Sequence, residues 1–258
     1  MMKILMIGDV TDPSGVQYLK ERLWDVRRRY GIDFVAVNAE NASFIGGADQ
    51  VLAETLLEAG ADVLTGGNHT MQRLSVHAFL DSDERMLRPL NYPAAVPGRG
   101  YTILDAQGYR MLVLNAMGTV HMEPTLDSPF YAIDRVLARE EGRYDFAMMD
   151  FHAEAAGEKG AIAHYFDGRI QIIAGTHTHV PTADMQILPK GAGFVTDLGM
   201  CGPSGGVLGI NADVIIERSM LHLPKKYEAA TGAVSADGVI FTLDTGSKKV
   251  TAVERIKF

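Results

Sequence analysis

The sequence predicts an α/β fold built on a largely parallel sheet covered by helices. Three observations predict it. Short apolar runs alternate with amphipathic segments over the first 80 or so residues, in a βαβαβα rhythm. Those runs are apolar throughout rather than alternating, the pattern of strands buried on both faces. The chain has 258 residues, 47% of them hydrophobic and 22% charged, which is ordinary for a soluble globular protein and long enough to bury a large core.

The elements follow in order. Lys3–Gly8 predicts a first strand that ends at Asp9. Ser14–Tyr30 sets Val16, Leu19, Leu23 and Val26 at helical spacing with basic residues opposite. Asp33–Val37 is a second strand running into Asn38-Ala39-Glu40-Asn41, and Ala48–Ala59 a second helix. Ala61–Thr65 is a third strand, ending in Gly66-Gly67-Asn68-His69, and a helix over Leu74–Leu80 follows. Tyr101–Asp105 and Arg110–Asn115 flank Ala106-Gln107-Gly108 and predict an antiparallel hairpin. Ser128–Glu141 is an amphipathic helix. Asp145–Met149 is a buried strand running into Asp150-Phe151-His152, and Glu158–Phe166 is helical. Ile170–Ala174 ends in Gly175-Thr176-His177-Thr178-His179. Short strands at Gln186–Leu188, Phe194–Thr196, Val239–Leu243 and Lys249–Glu254, with a helix near Ala212–Ser219, complete the chain. No repeat, low-complexity tract or linker interrupts it, so one domain over 1–258 is expected.

Composition excludes several function classes. A formal charge of -8 argues against electrostatic, sequence-independent binding of duplex nucleic acid, which needs a basic face. The single cysteine, Cys201, rules out an internal disulfide and argues against a thiolate metal site. No apolar run reaches the length of a membrane span. The opening MMKILMIGDV is strand-like and lacks a signal-peptide pattern, so a cytoplasmic protein is expected. No P-loop or G-x-G-x-x-G occurs.

Five predicted strands end in residues able to ligate a metal: Asp9; Glu40 with Asn41; Asn68 with His69; His152; and His177 with His179. In open α/β sheets, ligands bind beyond the carboxyl ends of strands. A lone strand-end Asp is as often a helix cap, but His and Glu are poor caps and five coincidences exceed what capping explains. Carboxylate, imidazole and amide oxygen suit Fe, Mn, Zn or Mg. About seven donors are too many for one tetrahedral ion and fit two ions sharing a carboxylate, an arrangement that can clamp a phosphoryl displacement. A rival motif is Gly202-Pro203-Ser204-Gly205-Gly206, which satisfies G-x-S-x-G, with Asp213 and His222 downstream. Several residues separate Ser204 from the predicted strand and Asp213 falls inside a helix, so a serine hydrolase is a distant third reading.

Gly8-Asp9, Asn38–Asn41, Gly66–His69, Asp150–Glu154 and Gly175–His179 together resemble the calcineurin-like metallophosphoesterase superfamily. RPLNYP (Arg88–Pro93), PGRGY (Pro97–Tyr101), ILPKG (Ile187–Gly191) and TDLGMCGP (Thr196–Pro203) bring the likeness closer to its YmdB-type bacterial branch, phosphodiesterases of 2′,3′-cyclic nucleotides. The likeness runs over nearly the whole chain. The superfamily's D-x-H is only Asp9-Val10-Thr11 here, Glu40 stands for the usual bridging Asp, and Thr70 follows G-N-H. The lost histidine and the presence of Asn41 are features of that branch.

The resemblance implies a four-layer α-β-β-α sandwich with the metal site at the strand ends. It implies that Asp9, Glu40, Asn41 and His179 hold a first ion, and that Glu40, Asn68, His152 and His177 hold a second. Iron or manganese is expected, with magnesium or zinc also compatible. A metal-bridging hydroxide is then the nucleophile and His69 the general acid, cleaving the 2′ ester to leave a 3′-nucleotide. A broader phosphomonoesterase or phosphodiesterase is the alternative. Asp150 and Asp197 are candidates for orienting the ligands from behind. The partner is a cyclic nucleotide or other small phosphate ester, and a homo-oligomer stays open.

Overall fold

The computed structural model describes residues 1–44 and 46–258. Thirteen strands are β1 (Met2–Ile7), β2 (Asp9–Val10), β3 (Phe34–Asn38), β4 (Val63–Thr65), β5 (Tyr101–Ala106), β6 (Tyr109–Met117), β7 (Phe146–His152), β8 (Ile172–Thr176), β9 (Gln186–Ile187), β10 (Gly193–Val195), β11 (Met200–Pro203), β12 (Val234–Asp244) and β13 (Lys249–Lys257). Six α-helices are α1 (Pro13–Tyr30), α2 (Gln50–Glu58), α3 (His77–Ser82), α4 (Pro129–Arg139), α5 (Ala156–Phe166) and α6 (Ala212–Leu221).

Local chemistry sets the ends of α1. The Asp12 carboxylate caps it by accepting from the Ser14 N–H, Pro13 opens it, and Gly31 closes it in the left-handed region at φ 64°.

These strands form two mixed sheets rather than one largely parallel sheet. The first is ordered β2-β11-β12-β1-β3-β4, with β13 also paired to β12. The second is ordered β5-β6-β7-β8-β10-β9. The N-terminal βαβαβ rhythm does give parallel pairs, β1 with β3 and β3 with β4. The eleven-residue β12 then adds to β1 antiparallel, pairing Met2 with Leu243 through Ile7 with Gly238. A local apolar pattern marks a strand but not the sheet it joins, which is why the rhythm did not foresee the split.

Three apolar clusters account for the double burial of the strands. Leu5, Ile7, Val35 and Val37 pack with Val16, Leu19 and Leu23 of α1 and Leu56 of α2. The alternate residues Ile4, Met6, Phe34 and Ala36 pack instead with Met111, Val113, Phe146, Met148 and Ile172 of the second sheet. On that sheet's other side, Leu112, Leu114, Met149 and Phe151 meet Ile133 of α4 and Ile162 and Phe166 of α5. The two-residue period of a strand sends neighbours to opposite faces, so each central strand serves two cores.

The expected helix over Leu74–Leu80 is shorter than predicted. Two 3-10 turns, Thr70–Gln72 and Leu74–Val76, precede α3. Arg73 between them is extended (φ -106°, ψ 115°), and its guanidinium donates to the carbonyls of Gly46 and Ser43. That tether separates the two 3-10 turns. No helix among the described residues is long and apolar enough to cross a membrane.

Candidate metal centre

The strand ends bring all seven predicted ligands together. Asp9 lies on β2, Glu40 and Asn41 follow β3, Asn68 follows β4, His152 closes β7, and His177 and His179 follow β8. Two donor groups can be drawn, Glu40 with His152 and His177, and Asp9 with Glu40 and His179, the donor atoms of each within 4.8 Å of one another. Glu40 belongs to both.

His152 Nε2 marks the centre of the first group. Asn68 Oδ1 lies 3.0 Å from it, His177 Nδ1 3.1 Å and Glu40 Oε2 3.3 Å. His152 is fully buried, and burial pushes its imidazole down to about 3, so the ring is neutral. Its Nδ1 is 2.9 Å from the Thr176 hydroxyl, which donates 2.6 Å to Asp150 Oδ1. This relay keeps the proton on Nδ1 and turns the Nε2 lone pair inward. His177 is oriented likewise: Nε2 lies 3.1 Å from Glu154 Oε2, which leaves Nδ1 for the site. Burial lowers its pKa too.

The second group forms around Asp9 Oδ1, 3.9 Å from His179 Nε2. The other Asp9 oxygen accepts from the His177 N–H at 3.1 Å. His179 donates from Nδ1 to the Leu208 carbonyl at 3.2 Å, again aiming Nε2 inward. An amide atom of Asn41 lies 2.7 Å from Glu40 Oε1 and 3.5 Å from His179 Nε2. As assigned it is Nδ2; a half-turn of the amide presents Oδ1 to a cation instead.

The residues present fit metal ions. Asp9 Oδ1 is buried with no hydrogen-bond partner, a costly state for a carboxylate oxygen unless a cation satisfies it. Burial, with Glu40 and Asp197 nearby, raises the Asp9 pKa well above the carboxylate range, strain that a cation relieves. Burial also opposes ionisation of Glu40, but His152 and His69 outweigh it and hold that carboxyl below its ordinary range. Gly67 leaves the centre open: a Cβ there would sit 2.3 Å from His152 Nε2 and 2.4 Å from Glu40 Oε2.

His69 stands beside the cluster. Its N–H donates to Glu40 Oε2 and its Nδ1 lies 3.1 Å from Glu40 Oε1. Burial works against the imidazolium, and Glu40 overrides it, raising the pKa. Behind the ligands, Asp150 is buried and accepts from Asn38, Thr65 and Thr176. Burial raises it to about 6. Asp197 accepts from the Thr178 N–H at 3.0 Å and pairs with the buried Lys159 ammonium at 2.9 Å, so it braces the His177–His179 turn.

Asn38, Thr65, Thr176 and Lys159 were not singled out from sequence. Thr176 had a signal, its place within Gly175–His179. Lys159 had none, since a lysine in a helical stretch normally faces water. Ser204 directly follows β11, so the separation from a strand that was expected of it does not hold. Its hydroxyl donates to the Ala233 carbonyl, while Asp213 and His222 sit at opposite ends of α6. No Ser-His-Asp triad forms among them.

A cleft of about 420 Å³ opens onto this centre, lined by Glu40, Asn41, His69, His177 and His179 together with apolar residues. A two-sheet α/β fold gathering histidine, amide and carboxylate donors around a shared glutamate at its strand ends defines a metallophosphoesterase-type protein. A model of the YmdB-like protein family matches residues 5–256. The 2′,3′-cyclic-nucleotide 2′-phosphodiesterase of Bacillus subtilis (strain 168) is 39% identical over 255 residues, covering 99% of this chain and 96% of that one. A crystal structure of a hypothetical protein from Thermus thermophilus superposes with a TM-score of 0.92 at 38% identity, over 100% of this chain and 99% of the other. A phosphatase from Mycoplasma pneumoniae superposes with a TM-score of 0.93 at 33% identity, over 100% and 93%. The chain belongs to the YmdB-like family.

Proposed function

We propose that the protein is a dinuclear metal-dependent phosphodiesterase that opens 2′,3′-cyclic nucleotides at the 2′ ester and leaves a 3′-nucleotide. That it is a phosphoesterase follows from its family. The sharing of one carboxylate, Glu40, by two donor groups supports two ions, and the name of the 39% identical Bacillus subtilis relative supports the cyclic-nucleotide substrate and the 2′ ester. Asp9, Glu40, Asn41 and His179 would hold one ion, and Glu40, Asn68, His152 and His177 the other. Iron or manganese suits these nitrogen and oxygen donors, and zinc or magnesium is compatible. Two bound cations would supply positive charge to the phosphoryl oxygens and acidify a water held between them.

The chain's own residues do the rest. Thr176 with Asp150, Glu154 and the Leu208 carbonyl fix the ring orientations of His152, His177 and His179 in turn. His69 engages Glu40 through Nδ1, which leaves Nε2 to give a proton to the departing 2′ oxygen. In this reading the 258 residues form one domain, helices enclosing two facing sheets, working in the cytoplasm. The apolar clusters on both outer faces and between the sheets support that layering.

The test is product identity. The metal-loaded protein should convert 2′,3′-cyclic AMP to 3′-AMP, and His69→Ala should keep its metals while losing about 10²–10⁴-fold in kcat. Formation of 2′-AMP, or no turnover, would contradict the proposed reaction, and an unimpaired His69→Ala would remove His69 from the acid role.

A further inference from the structure

One apolar part of the cleft wall contributes no side chain to the chemistry above. Phe44, Leu208, Ile210 and Tyr227 form it, and the rest of the lining is Thr11, Glu154, Thr178, Gly209 and the centre itself. Leu208 stays 44% exposed in the free protein, an apolar surface kept in water beside buried charges. We propose that this wall is the nucleobase subsite, gripping the base of the substrate by apolar and stacking contact without reading its hydrogen-bonding edge. The inference rests on the cyclic-nucleotide reading of the same site.

Three observations carry it. The first is strain. Among the described residues, eight non-glycine residues have positive φ, and four of them line this one cleft: Phe44 (59°), His177 (103°), His179 (62°) and Leu208 (54°). Bulky apolar residues rarely adopt this region, and where they do the surrounding structure imposes it for a purpose. Leu208 and Gly209 are the central residues of a two-residue turn closed by Val207 and Ile210, whose N–H and C=O groups bond each other at 2.8 and 2.9 Å. Asn or Gly is the usual choice where Leu208 stands. The turn thereby places its side chain in the cleft wall while its carbonyl holds His179.

The second is preorganisation. Arg218 lies 4.4 Å from the centroid of the Tyr227 ring and is itself anchored by donating to the Lys225 carbonyl. The cation steadies one part of the ring surface, so the aromatic wall is held before a ligand arrives. The third is chemistry. Thr11 donates to the Cys201 carbonyl and Glu154 is engaged with His177, so apart from the Tyr227 and Thr178 hydroxyls the lining outside the centre offers few side-chain groups that could tell one base edge from another. Stacking on an aromatic face is tolerant of base identity because every base has one. At about 420 Å³ the cleft is within the usual range of small-molecule sites, roughly 300–1,000 Å³.

The test compares 2′,3′-cyclic AMP and 2′,3′-cyclic CMP with glycerol 1,2-cyclic phosphate, which has the same reacting ring and no base. The metal-loaded wild type should favour both nucleotides over the base-free ester and differ little between the two. In Phe44→Ala and Tyr227→Ala the nucleotide preference in kcat/KM should fall about 10- to 100-fold, mainly through KM, and Tyr227→Phe should restore it. An unchanged preference in both alanine variants overturns the subsite, as does an equal loss on all three esters, which assigns the wall to the fold or the metal centre. Strong discrimination between adenine and cytosine by wild type overturns the edge-blind recognition. A wild type that ignores cyclic nucleotides but hydrolyses the base-free ester refutes the proposed substrate itself, a result distinct from a failed subsite.

Discussion

At the residue scale, His152 illustrates how surroundings assign a side chain its chemistry. The same imidazole on a surface would titrate near neutrality; buried between Asn68, His177 and Glu40 it is held neutral with its lone pair toward the centre. The hydroxyl of Thr176 decides which nitrogen faces inward. Thr176→Val keeps the shape and removes that hydroxyl, so it should weaken metal affinity about 10- to 100-fold and, by leaving buried Asp150 Oδ1 without its side-chain donor, also lower the unfolding midpoint. Competition with a metal indicator dye measures this, and an unchanged affinity would show that the relay to Asp150 has no orienting role. The ligands themselves were legible in the sequence because each stands just beyond an apolar run. The residues behind them were less so: Asn38 opens the Asn38–Asn41 motif but carries no sign of its role, and nothing distinguishes Thr65 from an ordinary strand-end polar residue until the fold brings both against Asp150.

At the element scale, the site depends on short strands lying side by side at one edge. Parallel pairing of β1 with β3 and of β3 with β4 carries Asp9, Glu40 and Asn68 to the same end, and β6-β7-β8 do the same for His152 and His177. Helix α5 reinforces the second set by sending Lys159 under the turn after β8, where its ammonium donates to Asp197 at 2.9 Å. Both groups are buried, with side chains 1% and 0% exposed, so removing one strands the other in an apolar interior. Lys159→Met should cost about 3–5 kcal/mol of stability, measured by urea unfolding of the metal-loaded protein. A loss below about 1 kcal/mol would contradict a dry, tightly paired contact. Sequence periodicity located most strands and helices, but it could not foresee β2 and β11. Their pairing joins Met200 with Asp9 and Cys201 with Val10, residues far apart in the chain.

At the scale of the whole molecule, a chain of net charge -8 buries two of its carboxylates, Asp9 and Glu40, where cations would neutralise them. With cations bound there, the acidic excess need not repel a small phosphate ester from the cleft. The interior is equally committed. Cys201 is 0% exposed, and burial, then Asp237, pushes its thiol well above the ordinary range. Its alkylation should follow global unfolding, negligible in the native protein and complete in denaturant. Rapid labelling under native conditions would reveal local opening of the β2–β11 edge.

The claim on which the rest depends is that one glutamate joins two cations. Calorimetric titration of the metal-stripped protein with Mn²⁺ tests it directly. The account predicts two equivalents bound per chain by wild type, and disruption of both by Glu40→Gln with the fold retained by circular dichroism. A single equivalent in wild type, or two undisturbed equivalents in Glu40→Gln, would contradict it.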